Sequence, residues 1–192
     1  MPLQNYLSTL TVLLFFVLLG SRTLILWRKG VRAIVFGQTN KSDFLLVPLF
    51  LLIVYAVLAR SFGLPMLAPL LKPFWDTPAP GWLGFALCTV GLCGVALTLI
   101  SFGESFRVGI DEQKPDKLVT DGMFAISRNP IYVSFFCFIS GLFLIHRNWL
   151  ITVAVALFAI AIHRQVLREE AFLKKHYGDA YTKYCEKVSR YL

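Results

Sequence analysis

The chain has 192 residues, of which 57% are hydrophobic and 16% are charged, and its mean hydropathy is +0.67. These values are typical of a polytopic membrane protein and exclude an ordinary water-soluble globular domain. A chain of this length accommodates about five spans of roughly 20 residues with short connections. We therefore expect an all-α integral membrane protein with one domain, residues 1–192.

Five apolar runs predict the membrane helices. In chain order they are Tyr6 to Trp27, Asp43 to Ala59, Trp82 to Phe102, Tyr132 to Ile145 and Trp149 to Ile162. Only His146, Arg147 and Asn148 separate the last two runs, which predicts a tight helical hairpin. Residues 1–102 thus hold three spans, and residues 103–192 hold a polar loop, the hairpin and a basic tail.

Small residues recur along the third run at intervals of three and four, at Gly84, Cys88, Gly91 and Gly94. Residues at these intervals share one stripe of a helix, and small side chains let helices approach closely in lipid. The stripe therefore predicts helix packing. The cysteines lack the spacing of a metal site, so we expect no metal.

Basic residues lie mainly on one side of the predicted membrane. Clusters of Lys and Arg follow the first, third and fifth runs, whereas Arg60, Lys72 and Arg147 fall on the other side. The positive-inside rule therefore predicts a cytoplasmic C-terminus and an outside N-terminus. Because this distribution explains most of the net charge of +8, we expect no nucleic-acid partner.

The segment from Gly103 to Asn129 is polar and rich in turn residues, which predicts irregular backbone. At its end, Asn129 is expected to cap a helix whose first residue is Pro130. A helix N-terminus beside irregular backbone attracts acceptor groups of a ligand. Spacing alone leaves two interpretations open, a ligand site and a capped connector.

The fifth run continues as a helix that acquires charges through Leu173. At about 100° per residue, one face carries the residues His163, Val166, Leu167 and Glu170. A carboxylate on a mostly apolar face is costly to bury without a cationic partner, so Glu170 is a candidate ligand-binding group. The alternative is that Glu170 pairs with Lys174 one turn on while Glu169 is merely solvated.

Four motifs follow one another between Gly103 and Tyr191. They are Leu118-Val119-Thr120 with Gly122, Arg128-Asn129-Pro130-Ile131-Tyr132, Glu169-Glu170, and Tyr177-Gly178 continuing through Tyr181, Tyr184 and Val188. Taken in this order, they resemble the C-terminal half of the isoprenylcysteine carboxyl methyltransferases and the related phospholipid methyltransferases. That family commonly has His where Asn129 stands.

The resemblance implies S-adenosylmethionine as the methyl donor, with S-adenosylhomocysteine as the product. The chain has no G-x-G-x-x-G motif after a strand, which agrees with cofactor binding outside a Rossmann domain. Carried over by position, the cofactor-binding residues are Lys117, Leu118, Val119, Phe124, Asn129, Pro130, Ile131, Tyr132 and Glu170. Val166 stands where the prenylcysteine enzymes have a substrate-binding Arg, so Arg164 is expected to act in catalysis and Arg168 to contact substrate, both from a neighbouring face.

The expected acceptor is a lipophilic molecule from the bilayer, either the carboxylate of a prenylated cysteine or a phospholipid amine. A carboxylate is already nucleophilic, whereas an amine needs a base such as His163. Two other classes stay open. Membrane reductases of sterol biosynthesis, which use NADPH, resemble the same C-terminal motifs, and a membrane interaction protein would bind neither cofactor.

Overall fold

The computed structural model describes residues 2–30, 46–66, 69, 72–103 and 118–192, and the regular secondary structure within these residues is all helical. Its six described α-helices are α1 Pro2–Arg28, α2 Leu46–Phe62, α3 Ala79–Phe102, α4 Pro130–His146, α5 Trp149–Tyr177 and α6 Asp179–Lys187. The five predicted apolar runs are therefore helices. The first residues of the second run, 43–45, lie outside the described part of the chain.

Three of the described helices, α1, α3 and α5, are long and apolar enough to cross a membrane. The other two apolar helices, α2 and α4, have 17 residues each, which corresponds to a rise of about 26 Å. α5 continues to Tyr177, as predicted, so its second half extends beyond the apolar region. We call this end of the bundle, where α6 begins, the α6 end.

α3 and α4 pack closely through small residues, as the glycine stripe predicts. A Cβ atom at Gly84 would lie 2.6 Å from the carbonyl oxygen of Gly141, and one at Gly91 would lie 2.6 Å from the backbone nitrogen of Phe138. The thiol of Cys88 lies between these positions, 3.5 Å from the Phe138 carbonyl oxygen. Side chains larger than hydrogen at the two glycines would therefore separate the helices.

An aromatic cluster joins the remaining helices in the core. Phe15 of α1 is buried and stacks on Phe138 of α4, with ring centroids 5.3 Å apart. Phe50 of α2 contacts Phe15 at 5.3 Å and Phe158 of α5 at 5.8 Å. Aromatic pairs at these separations add to the free energy of burial, so the cluster connects four helices.

The turn between α4 and α5 lies at the opposite end of the bundle. Arg147 occupies the left-handed region with φ 34°, and Asn148 caps α5 by accepting a hydrogen bond from the Ile151 amide at 3.0 Å. The Arg147 guanidinium donates to the carbonyl oxygens of Trp75 at 2.7 Å and Ile145 at 3.1 Å. This arginine therefore attaches the segment before α3 to the predicted hairpin.

Candidate functional site

Glu170 is a buried carboxylate near the α6 end, and three side chains surround it. Its residue is only 8% exposed. Oε1 accepts a hydrogen bond from Asn129 Nδ2 at 3.0 Å and lies 3.6 Å from Nη2 of Arg128. Oε2 lies 3.0 Å from Nε and 2.9 Å from Nη2 of Arg190. The predicted cationic partner of this carboxylate is therefore an arginine pair, and the alternative pairing with Lys174 is wrong.

Asn129 immediately precedes α4, but its side chain does not cap the helix. The backbone there has φ −130° and ψ 53°, without a side-chain capping hydrogen bond. Nδ2 donates instead to Glu170 and, at 3.1 Å, to the Arg190 carbonyl oxygen. Asn129 is thus the N-cap residue by position, as predicted, but its side chain bonds the buried carboxylate instead, because a charge-assisted hydrogen bond is stronger than a neutral cap. Pro130 does occupy the first turn, as predicted.

The chain's last residues cover the start of α4. The Arg128 amide donates to the Ser189 carbonyl oxygen at 2.9 Å, and the Ser127 hydroxyl donates to the Arg190 carbonyl oxygen at 3.3 Å. Sequence reasoning missed Ser127, Arg128 and Arg190 as site residues. The sequence signal for the two arginines is the need of the buried Glu170 for a cation, which basic residues outside α5 can meet.

Glu169 also belongs to this cluster. Its Oε1 accepts hydrogen bonds from the Tyr132 hydroxyl at 2.7 Å and from Gln165 Nε2 at 2.9 Å. The interpretation of Glu169 as merely solvated is therefore wrong. Two consecutive carboxylates of α5 contact α4 and the residue before it, so the structure brings Asn129, Tyr132 and Glu170 close together.

Phe124 lies beside the cluster in a short 3-10 helix, Gly122–Ala125. The Phe124 ring is buried and meets Phe102 edge to face at 4.6 Å, and its carbonyl oxygen accepts a hydrogen bond from Tyr184 at 2.6 Å. Burial raises the pKa of Tyr184 to about 12. Three other residues that were predicted to bind the cofactor are half-buried, namely Leu118, Val119 and Ile131. Lys117 lies outside the described residues.

The face predicted for α5 is partly wrong. Val166 and Glu170 are buried, but His163 and Leu167 are exposed, and the buried side includes Gln165 instead. His163 Nδ1 lies 2.7 Å from the Tyr191 hydroxyl. Arg164 and Arg168, which were predicted to act in catalysis and to contact substrate, also lie away from the buried side. Arg164 is exposed, and Arg168 bonds Gln165 Oε1 at 2.5 Å.

Charge and unsatisfied polar atoms distinguish the Glu170 cluster. Arg128 and Arg190 carry two positive charges against the one negative charge of the carboxylate they contact. Arg128 Nε and the Tyr181 hydroxyl are buried without a hydrogen-bond partner among the described residues. Burial, followed by the negative charge of Glu170, raises the pKa of Tyr181. In the described part of the chain, no group of His, Cys, Asp and Glu could hold a metal ion.

Known proteins resemble this chain over the same region. A sequence model of the phospholipid methyltransferase family matches residues 80–180. A probable protein-S-isoprenylcysteine O-methyltransferase of Oryza sativa subsp. indica is 29% identical over 141 residues, covering 69% of this chain and 72% of that protein. The protein-S-isoprenylcysteine O-methyltransferase of Schizosaccharomyces pombe is 34% identical over 93 residues, covering 47% of this chain and 39% of its own length. The family match includes Asn129 and Glu170 and ends before Arg190.

Proposed function

Because the chain belongs to the phospholipid methyltransferase family, we propose that it transfers a methyl group from S-adenosylmethionine to the carboxylate of a prenylated cysteine or a similar lipophilic acid. The buried Glu170 carboxylate, held where α4 begins, is the observation that carries this proposal. The names of the rice and yeast relatives support a prenylated cysteine as the acceptor. Family membership favours methyl transfer over the reductase and non-catalytic alternatives.

The described residues fit a cofactor with an ammonium, a carboxylate and an aromatic base. Glu170 offers a carboxylate to the ammonium. Arg128 and Tyr181 hold buried polar atoms that lack partners, and Phe124 and Tyr132 offer rings for the adenine or the sulfonium. The proposal extends to the backbone of residues 117–119 and to residues 130–131, which the resemblance assigns to the same cofactor.

The two oxygens of Glu170 differ in what they offer a ligand. Oε2 already accepts both contacts from Arg190, whereas Oε1 has one hydrogen bond, from Asn129, and a longer contact of 3.6 Å to Arg128. A carboxylate oxygen accepts up to two hydrogen bonds. A ligand ammonium therefore binds at Oε1 and replaces the Arg128 contact, while Arg190 stays on Oε2.

S-adenosylmethionine, when bound, supplies a methyl group on a positively charged sulfur. A carboxylate acceptor needs no general base, so the protein's task is to orient it and exclude water. His163 is then dispensable for acid methylation and required only for an amine acceptor, whose proton it would take. Arg164 and Arg168 stay candidates for contact with the acceptor from the exposed side of α5.

The acceptor enters from the bilayer and the cofactor from the cytoplasm in this proposal. Glu170 follows Ile162, the end of the predicted apolar run, by about 12 Å along α5, so the site lies near an interface. There an isoprenoid chain gains about 0.8 kcal/mol per CH₂ kept from water. Cysteine-accessibility labelling at Lys183 tests the orientation: modification from the cytoplasmic side only is expected, and modification from outside would refute it.

Calorimetry of the detergent-purified protein tests the cofactor. We expect binding of S-adenosylmethionine and S-adenosylhomocysteine but not of NADPH. Methyl transfer is then measured with N-acetyl-S-farnesylcysteine, and N-acetylcysteine is the matched acceptor without the isoprenoid. Turnover of the first alone supports the proposal, and equal turnover of both would refute a lipophilic acceptor.

A second candidate is N-methylation of a phospholipid amine, which the description of the matching family favours. Its test is methyl transfer to phosphatidylethanolamine in liposomes. Transfer to this lipid alone, with loss of activity in His163→Ala, would replace the first proposal by the second.

A further inference from the structure

We propose that Arg190 binds a ligand carboxylate through the edge of its guanidinium that is turned away from Glu170. This inference rests on the proposed function, which supplies the carboxylate-bearing ligands. Nε and Nη2 of Arg190 contact Glu170, while Nη1 makes no hydrogen bond to any residue in the described ranges. The Arg190 side chain is 39% exposed, compared with 10% for Glu170. One edge of the guanidinium is therefore occupied, while the Arg190 side chain as a whole remains partly exposed.

The charge of the cluster favours an anion at this edge. Arg128 and Arg190 both contact Glu170, so two positive charges face one negative charge at this carboxylate. The neighbouring Glu169 carboxylate accepts hydrogen bonds from Tyr132 and Gln165 instead of contacting these arginines. Arg128 is largely buried, with 13% of its side chain exposed, and its Nε lacks a partner among the described residues. Uncompensated charge in a water-poor site is unfavourable. A ligand carboxylate would neutralise this excess.

The backbone of Arg190 is anchored to its neighbours, and its guanidinium is restrained by Glu170. The Arg190 carbonyl oxygen accepts hydrogen bonds from Asn129 at 3.1 Å and Ser127 at 3.3 Å. In the next residue, the Tyr191 hydroxyl lies 2.7 Å from His163 Nδ1 on α5, and the Tyr191 ring packs edge to face on Phe136 of α4, with centroids 6.0 Å apart. A guanidinium that is already restrained loses less side-chain entropy when it binds a planar carboxylate.

The buried side of α5 carries no arginine. Val166 lies on the buried side of α5, one turn before Glu170, and Arg168 is bonded to Gln165. Arg190 instead reaches the buried side from the C-terminal tail, through its contact with Glu170. Two ligands in the proposed reaction carry a suitable group, namely the α-carboxylate of the methyl donor and the carboxylate of the acceptor.

Paired probes identify which of these carboxylates Arg190 holds. Arg190→Gln is compared with the unmodified protein and with Lys187→Gln, which removes an exposed positive charge from the same tail. Calorimetry measures affinity for S-adenosylmethionine and for its decarboxylated analogue. Methyl-transfer kinetics give the KM for N-acetyl-S-farnesylcysteine, and inhibition gives the affinity for its methyl ester, which has no carboxylate.

Loss of about tenfold or more for the carboxylate probe of one pair, with less than about twofold for the partner that lacks the carboxylate, is the expected result. The affected pair identifies the ligand. Arg190→Lys keeps a cation beside Glu170 but not the planar fork, so it should fall between the two proteins. Unchanged affinity for both carboxylates would overturn the inference, as would equal losses within each pair, which indicate a structural role. If the unmodified protein binds no S-adenosylmethionine, the proposed function itself fails.

Discussion

Replacing Glu170 by Gln should disturb both stability and cofactor binding far more than replacing Glu169 by Gln. The two substitutions are matched, since each removes one negative charge from adjacent positions of α5. They differ in what the lost oxygen contacts. Oε2 of Glu170 faces two donor atoms of Arg190, so an amide nitrogen placed there would oppose donors with a donor. Glu169 Oε1 accepts hydrogen bonds from Tyr132 and Gln165, and a glutamine carbonyl oxygen can accept both of these.

The size of the effect follows from burial. Breaking a buried ion pair costs about 3–5 kcal/mol, whereas an exposed pair contributes about 0–1 kcal/mol. Glu170 is 10% exposed at its side chain, but Arg190 is 39% exposed, so solvent screens part of the interaction. We therefore expect Glu170→Gln to lower the free energy of unfolding by about 2 kcal/mol. Loss of a charge-assisted bond to the cofactor should weaken its binding by about tenfold or more.

Thermal unfolding in detergent and calorimetry with S-adenosylmethionine measure the two effects separately. Circular dichroism at the calorimetry temperature checks that Glu170→Gln remains folded. Equal losses in the two variants would show that the buried carboxylate does not distinguish the residues. A loss of stability without a loss of affinity would leave Glu170 as a structural contact between the tail and α4.

Three further predictions concern the rest of the fold. Arg147→Lys should lower the free energy of unfolding by about 1–3 kcal/mol, because a single ammonium cannot reproduce the separate hydrogen bonds that Nε and Nη1 of the guanidinium make to two carbonyl oxygens. Thermal unfolding measures this change, and unchanged stability would refute the role. Gly91→Ala should lower the melting temperature because its Cβ would lie 2.6 Å from backbone of α4, whereas the control Gly20→Ala has nothing within 4 Å; equal effects would contradict the packing. The raised pKa of Tyr184, about 12, contributes stability that is present below pH 10 and lost as pH rises towards 12. Denaturant titrations should show a smaller decline over this interval in Tyr184→Phe, and an unchanged decline would contradict the assignment.

The sequence predicted the helices well because their signal is local. Long apolar runs interrupted by polar turn residues define α1, α3 and α5, and the residues 146–148 define the hairpin. The glycine stripe predicted close packing because glycine spacing and helix geometry together determine which atoms approach. The partner of the stripe, α4, is a tertiary property and did not follow from the pattern.

The face of α5 shows where local reasoning was insufficient. The helical wheel grouped His163, Val166 and Glu170, but the buried side is rotated towards Gln165 and away from His163. Gln165 was not part of the predicted face. The buried Gln165 donates a hydrogen bond to Glu169, which also accepts one from Tyr132 of α4. The contact with Tyr132 joins two helices, so no pattern within α5 predicts it.

Asn129 shows how a departure from the expected family residue fits this structure. The resemblance leads one to expect histidine there, yet the asparagine amide donates to two acceptors, the Glu170 carboxylate and the Arg190 carbonyl oxygen. A neutral imidazole has only one N–H, and it would have to be protonated to donate twice. An amide donates both hydrogens at any pH near neutrality. Asparagine therefore lets position 129 join α5 and the C-terminal tail without a titratable group, so the charges around Glu170 come from its arginine partners and from the two carboxylates of α5.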